Sequence, residues 1–364
     1  MAETQTRARR TAKQSTAAAG KVSVPPLATS VVGSYSVPEW LERLKTDYYQ
    51  RRISGAYLDE IHEVAIKAAL KDQEWAGVDF VSDGELRRDN DIDYFLARMP
   101  GVEILQLAKA FYADYYEAVV DHAIPAPEDG KTPLDLVDDF RFTREFTDRP
   151  IKFSFTGPFS LSRRIRNVFY ADAADLVMAF ARILNREARA LADAGAAILQ
   201  IDEPLLAGAT EQVGLAVKAF NAVFEGVDRA RTLCAVHVCY GNRYARPLWE
   251  GHYDFLFPAI LEANIDQLVL EFARKGYDDL DLFRRYKPPF SLGLGVIDVK
   301  SRDVETAEVV TARVRRALRV LPPERLMVNP DCGLRNLPAE IARAKLRALT
   351  AGTAAVRKDV LGGA

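Results

Sequence analysis

Short apolar stretches alternate with longer amphipathic stretches along most of the chain. Eight short stretches, rich in branched and aromatic residues, are typical of buried strands: 27–34, 78–84, 151–157, 196–203, 233–240, 266–273, 290–298 and 326–332. Between them, apolar residues recur at spacings of three and four, which predicts helices over 56–76, 173–194, 303–320 and 338–349. Strands that alternate with helices pair in parallel, and eight such units make a closed barrel. The pattern predicts a single-domain α/β protein, a (β/α)8 TIM barrel over residues 25–364.

One gap between predicted strands is too long for a simple crossover. It covers about residues 90–150 and contains an aromatic stretch at 112–120 and a proline-rich loop at 124–133. We interpret it as an insertion after strand two that covers one edge of the barrel mouth. Residues 1–24 are basic and rich in Ala and Thr, which predicts a disordered N-terminal tail. A transit peptide is the alternative, since such peptides are also basic and poor in acids.

Composition narrows the classes of protein that fit. The formal net charge of the 364 residues is -2, so no overall basic field favours nucleic acid as a partner. No apolar run approaches the roughly 20 residues that span a bilayer, so we expect no membrane partner. Three cysteines, at 234, 239 and 332, are too few for a disulfide framework. We therefore expect a cytoplasmic protein whose cysteines are reduced.

Polar residues gather where the predicted strands end. In a barrel these ends converge on the catalytic face, so a functional site is expected there. The residues concerned are Gly33-Ser34, Asp83-Gly84-Glu85, Thr156-Gly157-Pro158, Asp202-Glu203-Pro204, His237-Val238-Cys239, Glu271, Asp298 and Asp331-Cys332-Gly333.

Four of these residues have the side chains that zinc prefers. Side chains alternate between the faces of a strand, so His237 and Cys239 point the same way and Cys234 points into the core. Glu271 and Cys332 end the predicted strands six and eight and bring the set to four, the usual number at zinc. Glu262 is a competing carboxylate, but it precedes strand six. We predict a zinc site at His237, Cys239, Glu271 and Cys332.

The proposed ligands indicate a reaction class. A metal charge lowers the pKa of a bound thiol and stabilises the thiolate at neutral pH. Two cysteine ligands leave the metal electron-rich, which favours thiolate reactivity, whereas hydrolytic zinc sites more often use histidine and carboxylate ligands. The ligand set therefore predicts a thiol alkyltransferase.

At this point the motifs of a known family can be recognised. The chain resembles the catalytic C-terminal barrel of cobalamin-independent methionine synthase over about residues 27–350. The motifs that carry the resemblance are VVGSY (31–35), SDGELRRD (82–89) with DYF (93–95), FTGP (155–158), QIDEP (200–204), HVCY (237–240), LEFAR (270–274), LGVIDVKS (294–301) and ERLMVNPDCGL (324–334). The resemblance implies a homocysteine thiol activated as a zinc thiolate and methylated to methionine. It implies the same four zinc ligands, and it places homocysteine against Gly33, Ser34, Glu85 and Asp202. Two buried carboxylates would suit the ammonium group of that substrate.

The sequence departs from this family in three places. The family's N-terminal barrel is absent, and Lys300 replaces the catalytic histidine of the motif LGVIDVKS, which also contains Asp298. The tryptophan that stacks on the folate after FTGP is missing, since no Trp occurs between 159 and 248. Lys300 and Asp298 are therefore our catalytic candidates. A corrinoid or corrinoid protein is favoured over methylated folate as the donor, because cobalt leaves without needing a proton.

Two other functions stay open. Short relatives of this family include epoxyalkane:coenzyme M transferase, in which a zinc thiolate opens an epoxide. The sulfonate of coenzyme M would be repelled by Glu85 and Asp202. Arg87 and Arg88 could attract it, so this function remains an alternative hypothesis. The other alternative is a non-catalytic barrel that zinc stabilises and that acts as a partner protein. It is disfavoured, because a barrel of this size has core enough without a metal.

Overall fold

The computed structural model describes residues 22–362 except 106–108, 110, 112–113 and 129. Most of the predicted tail, 1–24, lies outside the described residues, but the amide of Val22 donates to Ala230 O at 3.1 Å. The strands within the described residues are β1 (Ala28–Thr29), β2 (Glu103–Ile104), β3 (Ala118–Val120), β4 (Lys152–Thr156), β5 (Arg166–Asn167), β6 (Ile198–Asp202), β7 (Leu233–Val238), β8 (Gln267–Leu270), β9 (Ser291–Ile297) and β10 (Leu326–Pro330).

Helices follow most of the strands, as the amphipathic periodicity predicts. They are α1 (Glu39–Tyr49), α2 (Gly55–Ala76), α3 (Asp93–Leu96), α4 (Leu136–Arg144), α5 (Pro158–Ser162), α6 (Ala173–Ala194), α7 (Val213–Val223), α8 (Leu280–Tyr286), α9 (Ala307–Leu318) and α10 (Ala339–Leu361). The bounds of α6 match the prediction because Asp172 caps its first turn and Gly195, with φ 101°, ends it. Among the described helices, none combines the length and apolar composition that a bilayer crossing requires.

Seven strands form one parallel sheet in the order β1-β10-β9-β8-β7-β6-β4. The sheet curls, and its two outer strands approach the same short segment: Phe80 bridges to Ser30, and Val81 bridges to Ile151, both in parallel. The predicted second strand, 78–84, is thus reduced to two bridging residues. The reason is local, because the side-chain amide of Gln73 bonds both the N–H (2.9 Å) and the C=O (3.0 Å) of Ser82. The Ser82 N–H is therefore not available to a neighbouring strand, and its C=O is already engaged by Gln73.

The long gap between 82 and 151 contributes two strands to a second, small sheet. Strands β2 and β3 pair antiparallel, and β3 pairs in parallel with β5, which comes after the main-sheet strand β4. Helices α3 and α4 belong to the same segment. Asn90, Asp91 and Tyr115 from this region line the pocket described below.

The strand register brings the polar strand ends into one row. Thr156 lies opposite Asp202, Asp202 opposite His237, and His237 opposite Val269. Because parallel strands all end at the same edge, the side chains after these positions share one rim. Outward-facing Phe153 and Phe155 are buried, which fixes the face that the polar residues occupy.

Candidate metal centre and its pocket

Three of the four predicted zinc ligands come together. The imidazole of His237 and the thiols of Cys239 and Cys332 each offer a ligand atom, and these atoms all lie within 4.8 Å of one another. The two Sγ atoms are 3.8 Å apart. The thiol of Cys239, and then the His237 ring, hold the pKa of Cys332 well below its usual range. A pair of thiols beside an imidazole is a donor set that suits zinc.

The orientation of His237 supports a ligand role. Its Nδ1 lies 3.1 Å from the carbonyl oxygen of Val269, which faces it across the β7–β8 pair. Its Nε2 is buried and has no hydrogen-bond partner among the described residues. In metal-binding histidines, a backbone carbonyl commonly accepts from one ring nitrogen while the other ring nitrogen binds the metal. A buried nitrogen without a partner is costly unless something binds it, so the residues present fit a metal ion.

The fourth predicted ligand, Glu271, has other partners in this structure. Its Oε2 accepts from Lys300 Nζ at 2.7 Å, and its Oε1 lies 3.4 Å from Arg274. The side chain is fully buried, and Lys300 is only 4% exposed. Glu271 is therefore next to the histidine–cysteine group but held by two cations rather than included in it.

The turn after Glu271 is fixed from another strand. The Asp331 carboxylate accepts the amides of Phe272 (2.9 Å), Ala273 (2.8 Å) and Arg274 (3.0 Å). Burial raises the pKa of Asp331 to about 7. Asp331 precedes Cys332 and follows a bulge between Asn329 and Pro330 that re-aims the end of β10. One carboxylate thus ties the backbone of two predicted ligands together.

A cavity of about 230 Å³ opens above the histidine–cysteine group. Six predicted site residues line it: Ser34, Glu85, Asp202, His237, Cys239 and Cys332. Four others do not line it: Gly33, Glu271, Asp298 and Lys300. Three of the four predicted metal ligands and three of the four predicted substrate-binding residues therefore face one space.

Glu85 is held rigidly at the wall of this cavity. Its carboxylate accepts from Ser154 Oγ at 2.6 Å and lies 3.2 Å from the guanidinium of Arg88. A Cβ at Gly33 would collide with the same carboxylate and with the Ser154 hydroxyl. Because Gly33 has no side chain, the Glu85 carboxylate can lie close to the backbone of the segment that follows β1.

Asp202 is the second carboxylate of the wall, and its surroundings are strongly electrostatic. Its Oδ1 accepts from Gln200 Nε2 at 2.6 Å. Burial raises the pKa of Asp202, and the charge of Glu85 adds to that effect. The ammonium of Lys152 is fully buried with no hydrogen-bond partner among the described atoms, and burial lowers its pKa. The Arg88 guanidinium at Glu85 and the buried amine of Lys152 are thus the cationic groups that face the two wall carboxylates.

The two predicted catalytic residues form one turn. Asp298 Oδ1 accepts the amide of Lys300 at 2.8 Å, and the Asp298 amide donates to Glu305 Oε1 at 2.8 Å. Asp298 therefore shapes the turn that aims Lys300 at Glu271.

Several supporting residues were missed by sequence reasoning. Asp331 stood in the strand-end list without a role, and Tyr253, whose hydroxyl donates to Val238 O and accepts from Glu271 N, was not considered. Ser154 and Lys152 could have been found, because polar residues alternate with Phe153 and Phe155 along β4 and must point inward. Tyr253 gives no such signal, since it begins a 3-10 helix, Tyr253–Leu256, that is too short to show a periodic pattern.

Comparison with known proteins agrees with this geometry. Residues 27–355 match the family model described as the catalytic domain of cobalamin-independent synthase. The methionine synthase of Saccharolobus solfataricus is 34% identical over 339 residues, which cover 93% of this chain and 97% of that protein. The methionine synthase of Sulfurisphaera tokodaii is 32% identical, with 93% and 94% covered.

A solved structure shows the same likeness in three dimensions. The B12-independent methionine synthase from Shewanella sp. W3-18-1, in complex with selenomethionine, superposes with a TM-score of 0.80 and 28% identity. The match covers 93% of this chain and all of that one. The chain therefore belongs to the cobalamin-independent methionine synthase family, whose members are methyltransferases that act on homocysteine.

Proposed function

We propose that this chain methylates the thiol of homocysteine to give methionine at a zinc site. The observation that carries the proposal is the free, buried Nε2 of His237 beside two thiols, at the base of a pocket with two carboxylates. His237, Cys239 and Cys332 would hold the ion, with Glu271 as the fourth group. Bound zinc supplies a positive charge that keeps a substrate thiol ionised at neutral pH.

The wall of the pocket would bind the amino-acid end of homocysteine. Glu85 and Asp202 would pair with the substrate ammonium, and Ser34 lines the same space. The Ser154 hydroxyl and Arg88 keep Glu85 in place before substrate arrives. The buried ammonium of Lys152 would offset the two carboxylates when the pocket is empty.

The same packing disfavours coenzyme M as the thiol. Arg88 lines the pocket, but its guanidinium is bonded to Glu85 and to Ser154 O. Arg87 does not line the pocket, and its Nε forms an ion pair with Asp139 at 3.2 Å. Neither arginine is offered to a sulfonate, so homocysteine is the better acceptor.

The methyl donor is a separate part of the proposal. The family is described as cobalamin-independent, which favours methylated folate and goes against the corrinoid donor that the sequence favours. One observation keeps a corrinoid as the second candidate. The Lys300 ammonium is already bonded to Glu271, so it is not offered as an acid to a folate leaving group, whereas cobalt needs no proton.

We propose that Phe80 and Val81 act as the eighth strand, because their two parallel bridges join the outer strands of the sheet. The segment that follows would cover the mouth of the barrel, since Asn90, Asp91 and Tyr115 line the pocket.

The proposed function is tested by following the metal while thiols are added. X-ray absorption at the zinc edge should show one additional sulfur neighbour with homocysteine and none with coenzyme M at the same concentration. Methionine formation should then be measured with methyltetrahydrofolate and with methylcobalamin. An identical zinc spectrum with and without every thiol would overturn the proposal.

Lys300 is expected to act by holding Glu271 rather than by donating a proton. Lys300→Met should tighten zinc binding by about tenfold, because it removes a nearby positive charge and frees a carboxylate for the metal. Competition with a chromophoric chelator measures the affinity. Lys275→Met is the matched control, since Lys275 lies over the Tyr240 ring and makes no bond to Glu271. Weaker zinc binding in Lys300→Met would contradict this role.

A further inference from the structure

Two exposed arginines stand at the opening of the pocket and are not used by the proposed chemistry. Arg164 lies over the ring of Tyr115 with 4.1 Å from its guanidinium carbon to the ring centroid, and Arg243 lies over the same ring at 5.2 Å. All three residues line the pocket. Arg164 follows α5, Arg243 follows β7, and Tyr115 comes from the segment before β3, so three distant parts of the chain converge here.

Among the described residues, these guanidinium groups have no anionic partner. Within the described part of the chain, neither forms a salt bridge or a side-chain hydrogen bond, whereas Arg88 and Arg335, which also line the pocket, both do. The nearby carboxylate of Asp91 is engaged by the Tyr115 hydroxyl at 2.9 Å. The ring thus aligns two cations by cation–π contacts and leaves their hydrogen-bonding edges unused.

A tight turn with an unusual backbone conformation holds Arg243 in position. Arg243 and Arg246 exchange two 3.0 Å backbone hydrogen bonds across a tight turn. Tyr244 and Ala245 inside that turn have φ 51° and 58°, a conformation that residues other than glycine rarely adopt. Asn242 donates to Gly333 O at 3.0 Å and its carbonyl accepts from Asn336 at 2.8 Å. The turn of residues 243–246 is therefore hydrogen-bonded, through Asn242, to the segment that follows Cys332.

We propose that Arg164, Arg243 and Tyr115 form an anion subsite that binds a negatively charged group of the methyl donor. The inference rests on the proposed function, because it assigns the subsite to the second substrate of that reaction. The acceptor occupies the buried end of the pocket, so a group that reaches exposed arginines belongs to the larger molecule that enters last. The shared chemistry is a carboxylate or phosphate, which guanidinium groups bind with paired hydrogen bonds. Its source is the glutamate tail of a methylated folate or the phosphodiester of a corrinoid.

The test compares donors that carry the proposed anionic group with donors that lack the part of the molecule bearing it. Parent enzyme and Arg164→Gln/Arg243→Gln are assayed with methyltetrahydrofolate triglutamate against methyltetrahydropteroate, which lacks glutamate. A second arm uses methylcobalamin against methylcobinamide, which lacks the nucleotide phosphodiester. The parent should prefer the donor that carries the glutamate tail in one arm, or the donor that carries the phosphodiester in the other, and the arm that shows the preference identifies the source. The double variant should raise the KM of that donor about tenfold or more and lose the preference, with kcat and the KM of homocysteine near the parent values.

Neighbouring arginines provide the controls. Arg163→Gln and Arg246→Gln remove the same charge from exposed positions that do not line the pocket, and they should leave the donor preference intact. Equal effects from these controls, or a preserved preference in the double variant, would overturn the subsite. If the parent transfers methyl from no donor, the proposed function fails, and calorimetry still decides the subsite. Tetrahydrofolate triglutamate and cobalamin should then bind the parent more tightly than the double variant, and equal binding refutes the inference.

Discussion

Replacing Cys332 with serine is expected to remove bound zinc and methionine formation while leaving the fold intact. The Cys332 thiol lies 3.8 Å from Cys239 Sγ and within reach of the His237 ring. A serine hydroxyl is a poor zinc donor at neutral pH, because it stays protonated where a thiol ionises. Zinc affinity should fall by more than about a hundredfold, since residues that merely orient metal ligands are worth about 10- to 100-fold. Metal analysis after dialysis measures the loss, and circular dichroism reports the fold.

The chain offers a matched control for this change. Cys234 is fully buried on the same strand as His237, but its side chain points to the opposite face. Cys234→Ser should keep its zinc and its activity per folded molecule, and any cost should appear as a lower melting temperature. Full zinc occupancy in Cys332→Ser would refute the ligand set.

Replacing Asp202 with asparagine is expected to raise the KM for homocysteine by about a hundredfold or more, with zinc content unchanged. Asparagine keeps the shape and can still accept the bond from Gln200 Nε2, so the packing of β6 should survive. It removes one of the two charges proposed to pair with the substrate ammonium. Breaking one partner of a buried ion pair costs about 3–5 kcal/mol, which corresponds to more than a hundredfold in binding. Steady-state kinetics at saturating donor measures the change.

A thiol substrate without the amine shows whether Asp202→Asn removes binding of the ammonium group or disturbs the pocket itself. 4-Mercaptobutanoate has the chain and carboxylate of homocysteine but no ammonium. If Asp202 binds that ammonium, parent enzyme and Asp202→Asn should use 4-mercaptobutanoate at similar rates. A penalty of equal size with both thiols would mean that the substitution disturbs the pocket itself.

The parts of this fold that follow local rules could be predicted from the sequence. Alternation along β7 placed His237 and Cys239 on one face and Cys234 on the other, and the structure agrees. Helix α6 was predicted to its bounds, because its cap and its terminal glycine are both local signals. The parts that failed depend on partners distant in the chain or on side chains that compete with the backbone. Gln73 takes the backbone of Ser82 and shortens the second strand, and no periodicity reveals that contact.

The site shows the same division. Strand ends identify which residues reach the rim, but they do not show which of these residues bond one another there. The Lys300–Glu271 pair joins residues 29 positions apart through a turn that Asp298 shapes. From the sequence, Lys300 is interpreted as the catalytic residue that replaces the family's histidine. In the structure its ammonium donates to Glu271, a predicted metal ligand.

The carboxylate of Asp331 has a consequence for anyone who would rebuild this centre. It bonds three amides of the turn after Glu271, although β8 and β10 are separated in the sheet by β9. Glu271 and Cys332 therefore sit on one backbone unit, and neither main chain can shift without the other. Transplanting the centre into another barrel would require at least three adjacent strands together with the aspartate. A graft of the ligand side chains alone would supply the metal-binding atoms, but nothing would hold the two strands that carry Glu271 and Cys332 at a fixed distance.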